Sequence, residues 1–279
     1  MKISIAVPSN NYARFLRKCL DSIAMQDYQD FEVLIGDAGS TDGSLEIINE
    51  YVKNDRRFAL VSRTDLGQSD AIDKAFKRAT GRVYCFLNSD DYFLRADTFT
   101  QVVNAFKCYP DIAVFNFQSV YVDEAGKVLK QVKSRYHPFD NLSWIKYRGQ
   151  VVQPSAFWLR EVYERCPFHT NWHYCFDSAF FYEAYQMFSF IEVPITVAAY
   201  RLHNSNKSVG VSWKRIAELA EFEQHKFGSG SNRARYLRLV ANCVRWIGHL
   251  AYAGTSLQRV LYVMVNGLSL LSGHRIPNV

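Results

Sequence analysis

Short apolar runs alternate with segments whose apolar residues recur every three or four positions through the first 95 residues of the chain. The runs are rich in β-branched residues and end at polar, Gly or Pro residues, which is typical of buried strands; the other spacing is typical of amphipathic helices. The pattern predicts strands at 3–7, 31–35, 58–62 and 83–87 and helices at 12–25, 41–52 and 69–79. This βαβαβαβ series with short links predicts a parallel sheet with right-handed crossovers and helices on both faces.

The remainder of the chain is more mixed. It predicts helices at 98–108, 158–165 and 177–187 and strands at 112–122, 127–133 and 195–200. The predicted fold class is therefore α/β, with a single Rossmann-like, mostly parallel sheet flanked by helices. After residue 210 the sequence becomes helical and basic, so we expect one domain at 1–210 and a C-terminal extension of amphipathic helices at 211–279.

Composition indicates a folded, intracellular protein. The 279 residues are 48% hydrophobic and 15% aromatic, which is enough to bury a core. The six cysteines are scattered without paired or metal-like spacing, so we expect reduced, mostly buried thiols. The apolar start at 1–8 is too short to be a signal peptide, and a cytoplasmic location is predicted.

The net charge of +6 is concentrated towards the C-terminus. Residues 201–279 hold eleven Lys and Arg against three Asp and Glu, and no acidic residue follows Glu223. A basic extension on a near-neutral body predicts an anionic partner surface, either a membrane or a nucleic acid. The sequence contains no recognisable nucleic-acid-binding module, so nucleic acid is the weaker candidate.

The segment around residues 235–251 has the pattern of an amphipathic cationic helix. The apolar face consists of Leu237, Val240, Ala241, Val244, Ile247 and Ala251. The opposite, polar face consists of Arg235, Arg238, Asn242, Arg245 and His249. Such a helix could make a peripheral contact with the inner face of the plasma membrane through residues 230–275. It could equally pack on the preceding domain or on a second copy of the chain in a homodimer. The apolar run at 260–271 is shorter than the roughly 20 residues that span a bilayer.

Asn88, Ser89, Asp90 and Asp91 directly follow the predicted strand at 83–87. A strand that ends in two adjacent carboxylates places them at the carboxyl edge of the sheet, where open α/β folds bind ligands. Hard oxygen ligands of this kind suit Mg²⁺ or Mn²⁺ that bridges to a diphosphate. A helix N-cap or a turn is the alternative, because Asp and Asn are favoured in both.

A second polar loop, residues 36–44, follows the strand at 31–35. Its glycines permit positive φ and a close approach of backbone to a ligand. Asp37 lies at the strand end, where it could accept hydrogen bonds from a base or a ribose. The alternative is a well-capped turn, to which Ser40 and Thr41 contribute.

Four motifs in order give the chain a resemblance to family 2 glycosyltransferases of the GT-A fold, over about residues 2–205. The motifs are Pro8-Ser9-Asn10-Asn11-Tyr12, Asp37-Ala38-Gly39-Ser40-Thr41-Asp42-Gly43, Gly67-Gln68-Ser69-Asp70-Ala71 and Leu87-Asn88-Ser89-Asp90-Asp91. The resemblance implies a GT-A-like sheet, a nucleotide-sugar donor that is usually a UDP-sugar, a divalent cation such as Mn²⁺ or Mg²⁺, and inversion at the anomeric carbon.

The resemblance also implies roles for individual residues in the donor site. Pro8, Ser9 and Tyr12 would line the base and ribose pocket. Asp37 would bind the base edge, and Asp70 would lie near the ribose or the phosphate of the donor.

At the fourth motif the family commonly has Asp-x-Asp, whereas this chain has Asn88 at the first position. Asn88 carries no charge, so we expect it to bind ribose or a metal-bound water, beside Ser89 in the donor site. Asp90 becomes the preferred metal ligand. Asp91 and Gln153 are further candidates for contacts with the donor or for orienting the loop.

Two later segments complete the resemblance. Arg201 and His203 follow the predicted strand at 195–200, and family members often carry a His there. A neutral imidazole can complete a metal shell and Arg201 could neutralise phosphate, although a His and an Arg that solvate a strand end are the alternative.

Inverting transfer needs a carboxylate that deprotonates the acceptor hydroxyl. Family members usually have this acid at the start of a later helix, and Asp177 is the only carboxylate of the segment at 172–181. A simple helix N-cap is the alternative role for Asp177.

These features predict a metal-dependent inverting glycosyltransferase that moves a sugar to a saccharide or lipid-linked saccharide in cell-envelope polysaccharide synthesis. One alternative is a nucleotidyltransferase, which would usually have a Gly-rich basic loop after the first strand, where this chain has Ser9 to Tyr12. The other is an inactive nucleotide-sugar-binding subunit, for which Asn88 and the single Asp177 are the indications.

Overall fold

The computed structural model describes residues 1–132, 151–204, 206, 213–228, 234–235 and 238–242. These residues belong to two compact units. The first includes residues 1–132, 151–171 and 176–204, and the second includes 172–175, 206 and the described residues from 213 onwards. The domain boundary at residue 210 stays a prediction.

Four parallel strands form one half of the sheet. They and their connecting helices are β1 (Ile3–Ser9), α1 (Ala13–Ala24), β2 (Phe31–Asp37), α2 (Ser44–Asn54), β3 (Phe58–Ser62), α3 (Gln68–Arg78) and β4 (Val83–Phe86). The predicted alternation of strand and helix is confirmed. In α1, for example, the residues predicted at helical spacing are buried: Phe15, Leu16, Cys19, Leu20 and Ile23.

The other half of the sheet mixes parallel and antiparallel pairs. Its elements are β5 (Tyr92–Phe93), α4 (Thr98–Cys108), β6 (Val114–Val122), β7 (Val128–Val132), a 3-10 turn (Gln153–Ser155), β8 (Ala156–Leu159), α5 (Arg160–Arg165), α6 (Phe176–Met187) and β9 (Phe190–Arg201). The prediction of a helix from Trp158 was wrong at its start, because Trp158 and Leu159 belong to β8. Periodicity cannot assign so short an apolar run to a strand or a helix.

The strand order is β3-β2-β1-β4-β8-β6-β9-β5, with β7 paired to β6. The predicted α/β class, a central sheet flanked by helices, is confirmed. Because β1, β2 and β4 run parallel, their carboxyl ends meet at one edge of the sheet. Tyr92 of β5 pairs with Ala199 of β9, which brings the end of β9 beside the loop that follows β4.

An aromatic cluster in the first unit fixes the start of α6. The ring of Phe86 in β4 lies 5.9 Å from that of Phe176 and 6.3 Å from that of Trp158. Trp158 is fully buried and its ring is 5.0 Å from that of Phe180. Burial of each such side chain contributes roughly 1.5–3 kcal/mol, so this packing places Asp177 firmly relative to the end of β4.

The second unit contains α7 (Trp213–Phe227). Val240 and Ala241, which lie on the predicted apolar face of the extension, pack against Ile216 of α7. This part of the apolar face is therefore covered within the second unit. Within the described part of the chain, every helix is too short or too polar to cross a bilayer.

Glu218 of α7 is buried and accepts hydrogen bonds from three consecutive backbone N–H groups. The donors are His173 at 2.9 Å, Cys175 at 2.6 Å and Tyr174 between them. A buried carboxylate is costly without such partners. The three bonds therefore hold the segment 173–175 on α7 inside the second unit.

Candidate active site

The loops that follow β1, β2 and β4 meet at the carboxyl edge of the sheet. Ser9 pairs with Asp37 in the β1–β2 register, and the hydroxyl of Ser89 donates a hydrogen bond of 2.7 Å to the carbonyl of Pro8. Three of the four predicted motifs therefore lie together, and the motif at 67–71 adjoins them through a hydrogen bond from Gln68 to Asn88. The Oγ of Ser9 is buried and has no hydrogen-bond partner among the described residues, which suits a polar ligand at this edge.

Asp37 is fully buried, and both of its carboxylate oxygens accept hydrogen bonds from its own loop. Oδ1 accepts from the backbone N–H groups of Gly39 at 3.0 Å and Ser40 at 2.8 Å, and Oδ2 accepts from Ser40 Oγ at 2.6 Å. Ser40 Oγ in turn accepts from the N–H of Asn11 at 2.8 Å. Asp37 therefore builds the β2–α2 loop and ties it to the β1–α1 loop; its predicted contact with a base stays a prediction.

Tyr12 lies at the start of α1, where its backbone N–H donates to Ser44 Oγ at 3.1 Å. Burial, and then the negative charges of Asp90 and Asp91, raise the pKa of the Tyr12 phenol to about 12. The phenol is therefore neutral and faces a concentration of negative charge. This charge at the strand ends suits a bound cation.

Asp90 and His203 form the central pair of the site. Asp90 Oδ2 and His203 Nε2 are 2.9 Å apart, and both side chains are almost completely buried. The two residues are 113 positions apart in sequence, and the pairing of β5 with β9 brings them together. A carboxylate oxygen and an imidazole nitrogen are both common ligands of Mn²⁺, and the carboxylate also suits Mg²⁺, so this donor set fits the predicted cation.

Asp91 bonds to partners other than those of Asp90. It is buried, and its Oδ1 accepts a hydrogen bond of 2.9 Å from the backbone N–H of Arg201. Burial, and then the neighbouring charge of Asp90, raise the pKa of the Asp91 carboxyl well above its ordinary value. Asp91 therefore links the acidic loop to the end of β9.

The guanidinium of Arg201 lies beneath the acidic loop. It donates through Nε to the carbonyl of Asp90 at 2.9 Å and through one terminal nitrogen to the carbonyl of Glu124 at 2.7 Å. It also lies 4.8 Å from the centre of the Phe15 ring. These contacts orient the loop; the predicted phosphate contact of Arg201 stays a prediction.

Asn88 is bonded to protein groups on both sides. Its Oδ1 accepts from Gln68 Nε2 at 2.6 Å, and its Nδ2 donates to Gln153 Oε1 at 3.2 Å and to Asp91 Oδ2 at 3.4 Å. Gln153 is buried and donates from Nε2 to the carbonyl of Phe86 at 2.6 Å. The structure thus brings Asn88, Asp91 and Gln153 together. Their predicted contacts with the donor stay predictions.

Asp70 and Asp177 lie on helices near this edge. Asp70, in the first turn of α3, accepts from Leu66 N at 2.9 Å and pairs with Lys74 Nζ at 2.7 Å. Burial opposes its ionisation, but these two bonds outweigh burial and hold the pKa of Asp70 below its ordinary value. Asp177 is half-buried in the first turn of α6, next to Phe176, whose ring contacts that of Phe86.

The sequence analysis did not predict two residues that contact the site, Gln68 and Phe15. Gln68 lies within a motif that the sequence singled out, but its bond to Asn88 depends on where α3 begins. Phe15 has the spacing of a core residue, yet its ring lies 4.8 Å from that of His203 and packs on Arg201. No sequence signal distinguishes such a ring from the rest of the core.

The family model described as glycosyl transferase family 2 matches residues 4–166. The glycosyltransferase GlyA of Streptococcus pneumoniae serotype 4 is 32% identical over 160 residues, which cover 57% of this chain and 23% of that protein. A PGL/p-HBAD biosynthesis glycosyltransferase of Mycobacterium tuberculosis is 42% identical over 100 residues, which cover 36% of this chain and 39% of that protein. The matches therefore span less than half the length of these relatives.

Solved structures are similar over more of the chain. TarS of S. aureus in complex with UDP has a TM-score of 0.62 at 20% identity, covering 81% of this chain and 68% of that one. The mannosyltransferase PcManGT of Pyrobaculum calidifontis, in complex with GDP-Man and Mn²⁺, has a TM-score of 0.60 at 19% identity, covering 96% and 80%. At these identities the similarity establishes the fold.

Proposed function

Because this chain belongs to glycosyl transferase family 2, we propose that it transfers a sugar from a UDP-sugar to a saccharide or lipid-linked saccharide, with inversion at the anomeric carbon. The observation that carries the proposal is the buried pair of Asp90 and His203 at the carboxyl edge of the sheet. An acid and an imidazole from distant parts of the chain meet there. A second acid, the half-buried Asp177, lies in the first turn of α6.

The residues fit a divalent cation, Mn²⁺ or Mg²⁺, held by Asp90 and His203. When bound, the cation would supply positive charge to stabilise the diphosphate leaving group. Arg201 holds the backbone of Asp90, and Asp91 is held by the N–H of Arg201, so the loop that presents the ligands is braced from β9. Such bracing reduces the reorganisation needed when the donor binds.

Asp177 is the proposed general base. In an inverting transfer the acceptor hydroxyl attacks C1 from the face opposite the diphosphate, and its proton passes to a carboxylate as the new bond forms. Packing of Phe176 on Phe86 supports a position of Asp177 close to the end of β4. Within the segment 172–181 no other carboxylate competes for the role.

The identity of the donor nucleotide is a further part of the proposal. Structural neighbours carry UDP, UDP-GlcNAc or GDP-Man, so the fold accommodates more than one base. The motifs at Pro8, Asp37 and Asp70 support a UDP-sugar. Some relatives are named for PGL/p-HBAD biosynthesis. An acceptor in the cell envelope is part of the same proposal.

A cytoplasmic location at the inner face of the membrane belongs to the same proposal. The excess of Lys and Arg after residue 200 supports electrostatic binding to anionic lipid. Because Val240 and Ala241 pack on Ile216, we expect the attraction to come from these charges and not from insertion of those apolar side chains into the bilayer. The full chain should then pellet with anionic vesicles at low salt and stay in solution with neutral ones. Equal recovery with both kinds of vesicle would contradict peripheral binding.

Release of UDP tests the proposed reaction. The purified chain is incubated with a panel of UDP-sugars and GDP-sugars in Mn²⁺, with and without saccharide acceptors, and the free nucleotide is measured. We expect release from a UDP-sugar that EDTA abolishes and added Mn²⁺ restores. In a parallel incubation with UTP and sugar 1-phosphates, formation of a UDP-sugar and pyrophosphate would indicate a nucleotidyltransferase. Tight UDP binding without any release would indicate an inactive subunit.

A further inference from the structure

Three amide side chains form a directional relay across the strand ends. Gln153 lies in the 3-10 turn before β8, Asn88 in the loop after β4, and Gln68 at the start of α3. Consecutive members are joined by hydrogen bonds of 3.2 Å and 2.6 Å. The relay therefore connects three separate segments beneath the proposed donor site.

The direction of the relay is set by one backbone carbonyl. The carbonyl of Phe86 can only accept, so Gln153 must present Nε2 to it, at 2.6 Å. Oε1 of Gln153 then faces Asn88, which must present Nδ2. Oδ1 of Asn88 therefore faces Gln68, which donates from Nε2. Each orientation follows from the one before it.

The second hydrogen of Asn88 Nδ2 points to Asp91. The Nδ2 to Oδ2 distance is 3.4 Å, and Asp91 Oδ1 is held at 2.9 Å by the backbone N–H of Arg201. Asn88 thus gives the buried Asp91 a donor for its second oxygen. A carboxylate at position 88 has no N–H, so it would face the acceptor Gln153 Oε1 at this distance and would leave Asp91 Oδ2 without the donor that Asn88 provides.

We propose that Asn88 is a positioning residue whose amide orients Asp91, in the loop after β4, and Gln153, in the 3-10 turn before β8, and that an acid cannot replace it in this chain. Only the catalytic consequence of this role rests on the proposed function; the structural consequence does not. It reverses the expectation from the family pattern, in which Asp is common at this position. Restoring that acid through Asn88→Asp should impair the protein instead of strengthening cation binding.

The first test measures thermal unfolding of the full chain without metal or nucleotide. We expect Asn88→Asp and Asn88→Ala each to lower the melting temperature by about 2–10 °C. Asn104→Asp in α4 makes the same charge change at an exposed position and should leave the melting temperature within about 1 °C. An unchanged or higher melting temperature for Asn88→Asp would overturn the proposal.

A double-mutant cycle with Gln153→Ala isolates the relay. On the wild-type background Gln153→Ala removes a partner of Asn88, whereas on the Asn88→Asp background it removes a repulsive acceptor. The shift in melting temperature caused by Gln153→Ala should therefore be markedly smaller, or reversed, in the presence of Asp at position 88. Additive shifts would mean that the two side chains act independently, and the relay would be discarded.

The activity of the same variants tests positioning. With Mn²⁺ and donor at saturation and at a temperature where each variant is folded, Asn88→Asp should lower kcat at least about tenfold while the KM for the donor stays within about twofold. Activity equal to wild type or higher would overturn the positioning role. If the cycle shows coupling but the wild type turns over no nucleotide-sugar, the relay stands and the proposed function fails.

Discussion

The two halves of the sheet contribute to the site in different ways. The parallel half, β1 to β4, ends in loops whose polar groups bond mainly to one another, as Asp37 does with Ser40. The mixed half, β5 to β9, contributes single groups, Arg201 and His203, that reach across to acids of the parallel half. The parallel half therefore supplies the adjacent acids Asp90 and Asp91, and the mixed half contributes the groups that bond to them.

Electrostatics explains this division. Asp90 and Asp91 are adjacent and buried, and two such carboxylates are costly without partners. The backbone N–H of Arg201 and the imidazole of His203 satisfy one oxygen of each acid. If the contacts from the mixed half serve only to stabilise the fold, replacing an acid would lower the free energy of unfolding and leave kcat unchanged. The variants below separate these outcomes.

Asp90→Ala should have the largest effect. It removes the carboxylate of the proposed cation pair, so we expect kcat to fall by about a thousandfold or more. The fold should survive, because the change also removes the charge that opposes ionisation of Asp91. UDP release with saturating Mn²⁺ and a melting curve measure the two quantities. Substantial turnover with an unchanged Mn²⁺ requirement would take Asp90 out of the mechanism.

Asp177→Asn should have the next largest effect. The amide keeps the shape of the side chain but cannot accept the proton of the acceptor hydroxyl, so we expect kcat to fall by about 10²–10⁴-fold. Affinity for UDP with Mn²⁺, measured by calorimetry, should be unchanged because the proposed base does not touch the nucleotide. A normal rate in this variant would assign the proton transfer to another group.

Sequence reasoning reached the parallel half more completely than the mixed half, for a physical reason. Local periodicity specifies each βα unit, and parallel pairing then places the strand ends together, so Pro8 and Asp90 could be placed in one site. The mixed half depends on long-range pairing: β5 has two residues, and β8 is four residues that pair with strands on both sides. No local pattern encodes those partners.

The same limit applies to individual side chains. His203 could be proposed for the metal, but its 2.9 Å approach to Asp90 depends on the pairing of β5 with β9. Arg201 was expected at a phosphate because of its charge, while its guanidinium donates to the carbonyls of Asp90 and Glu124. Charge can be read from sequence, whereas the direction in which a side chain points depends on packing.

The smallest predicted effect concerns Asp37, in the loops of the parallel half. Asp37→Asn removes the acceptor for the Ser40 hydroxyl, and because Ser40 Oγ already accepts from Asn11 N, its own proton would lose its partner. We expect the free energy of unfolding to fall by about 1–3 kcal/mol, measured by denaturant titration. The exposed Asp111→Asn is the matched control and should change it by less than about 0.5 kcal/mol.

UDP affinity of Asp37→Asn then distinguishes the two roles of this residue. If Asp37 only builds the loop, the Kd for UDP measured under fully folding conditions should change by less than about threefold, since the loop keeps its backbone bonds to the remaining oxygen. A loss of UDP affinity of tenfold or more with unfolding energy unchanged would mean that Asp37 contacts the base. The parallel half would then bind the nucleotide directly through a side chain that the structure finds bonded to Gly39 and Ser40.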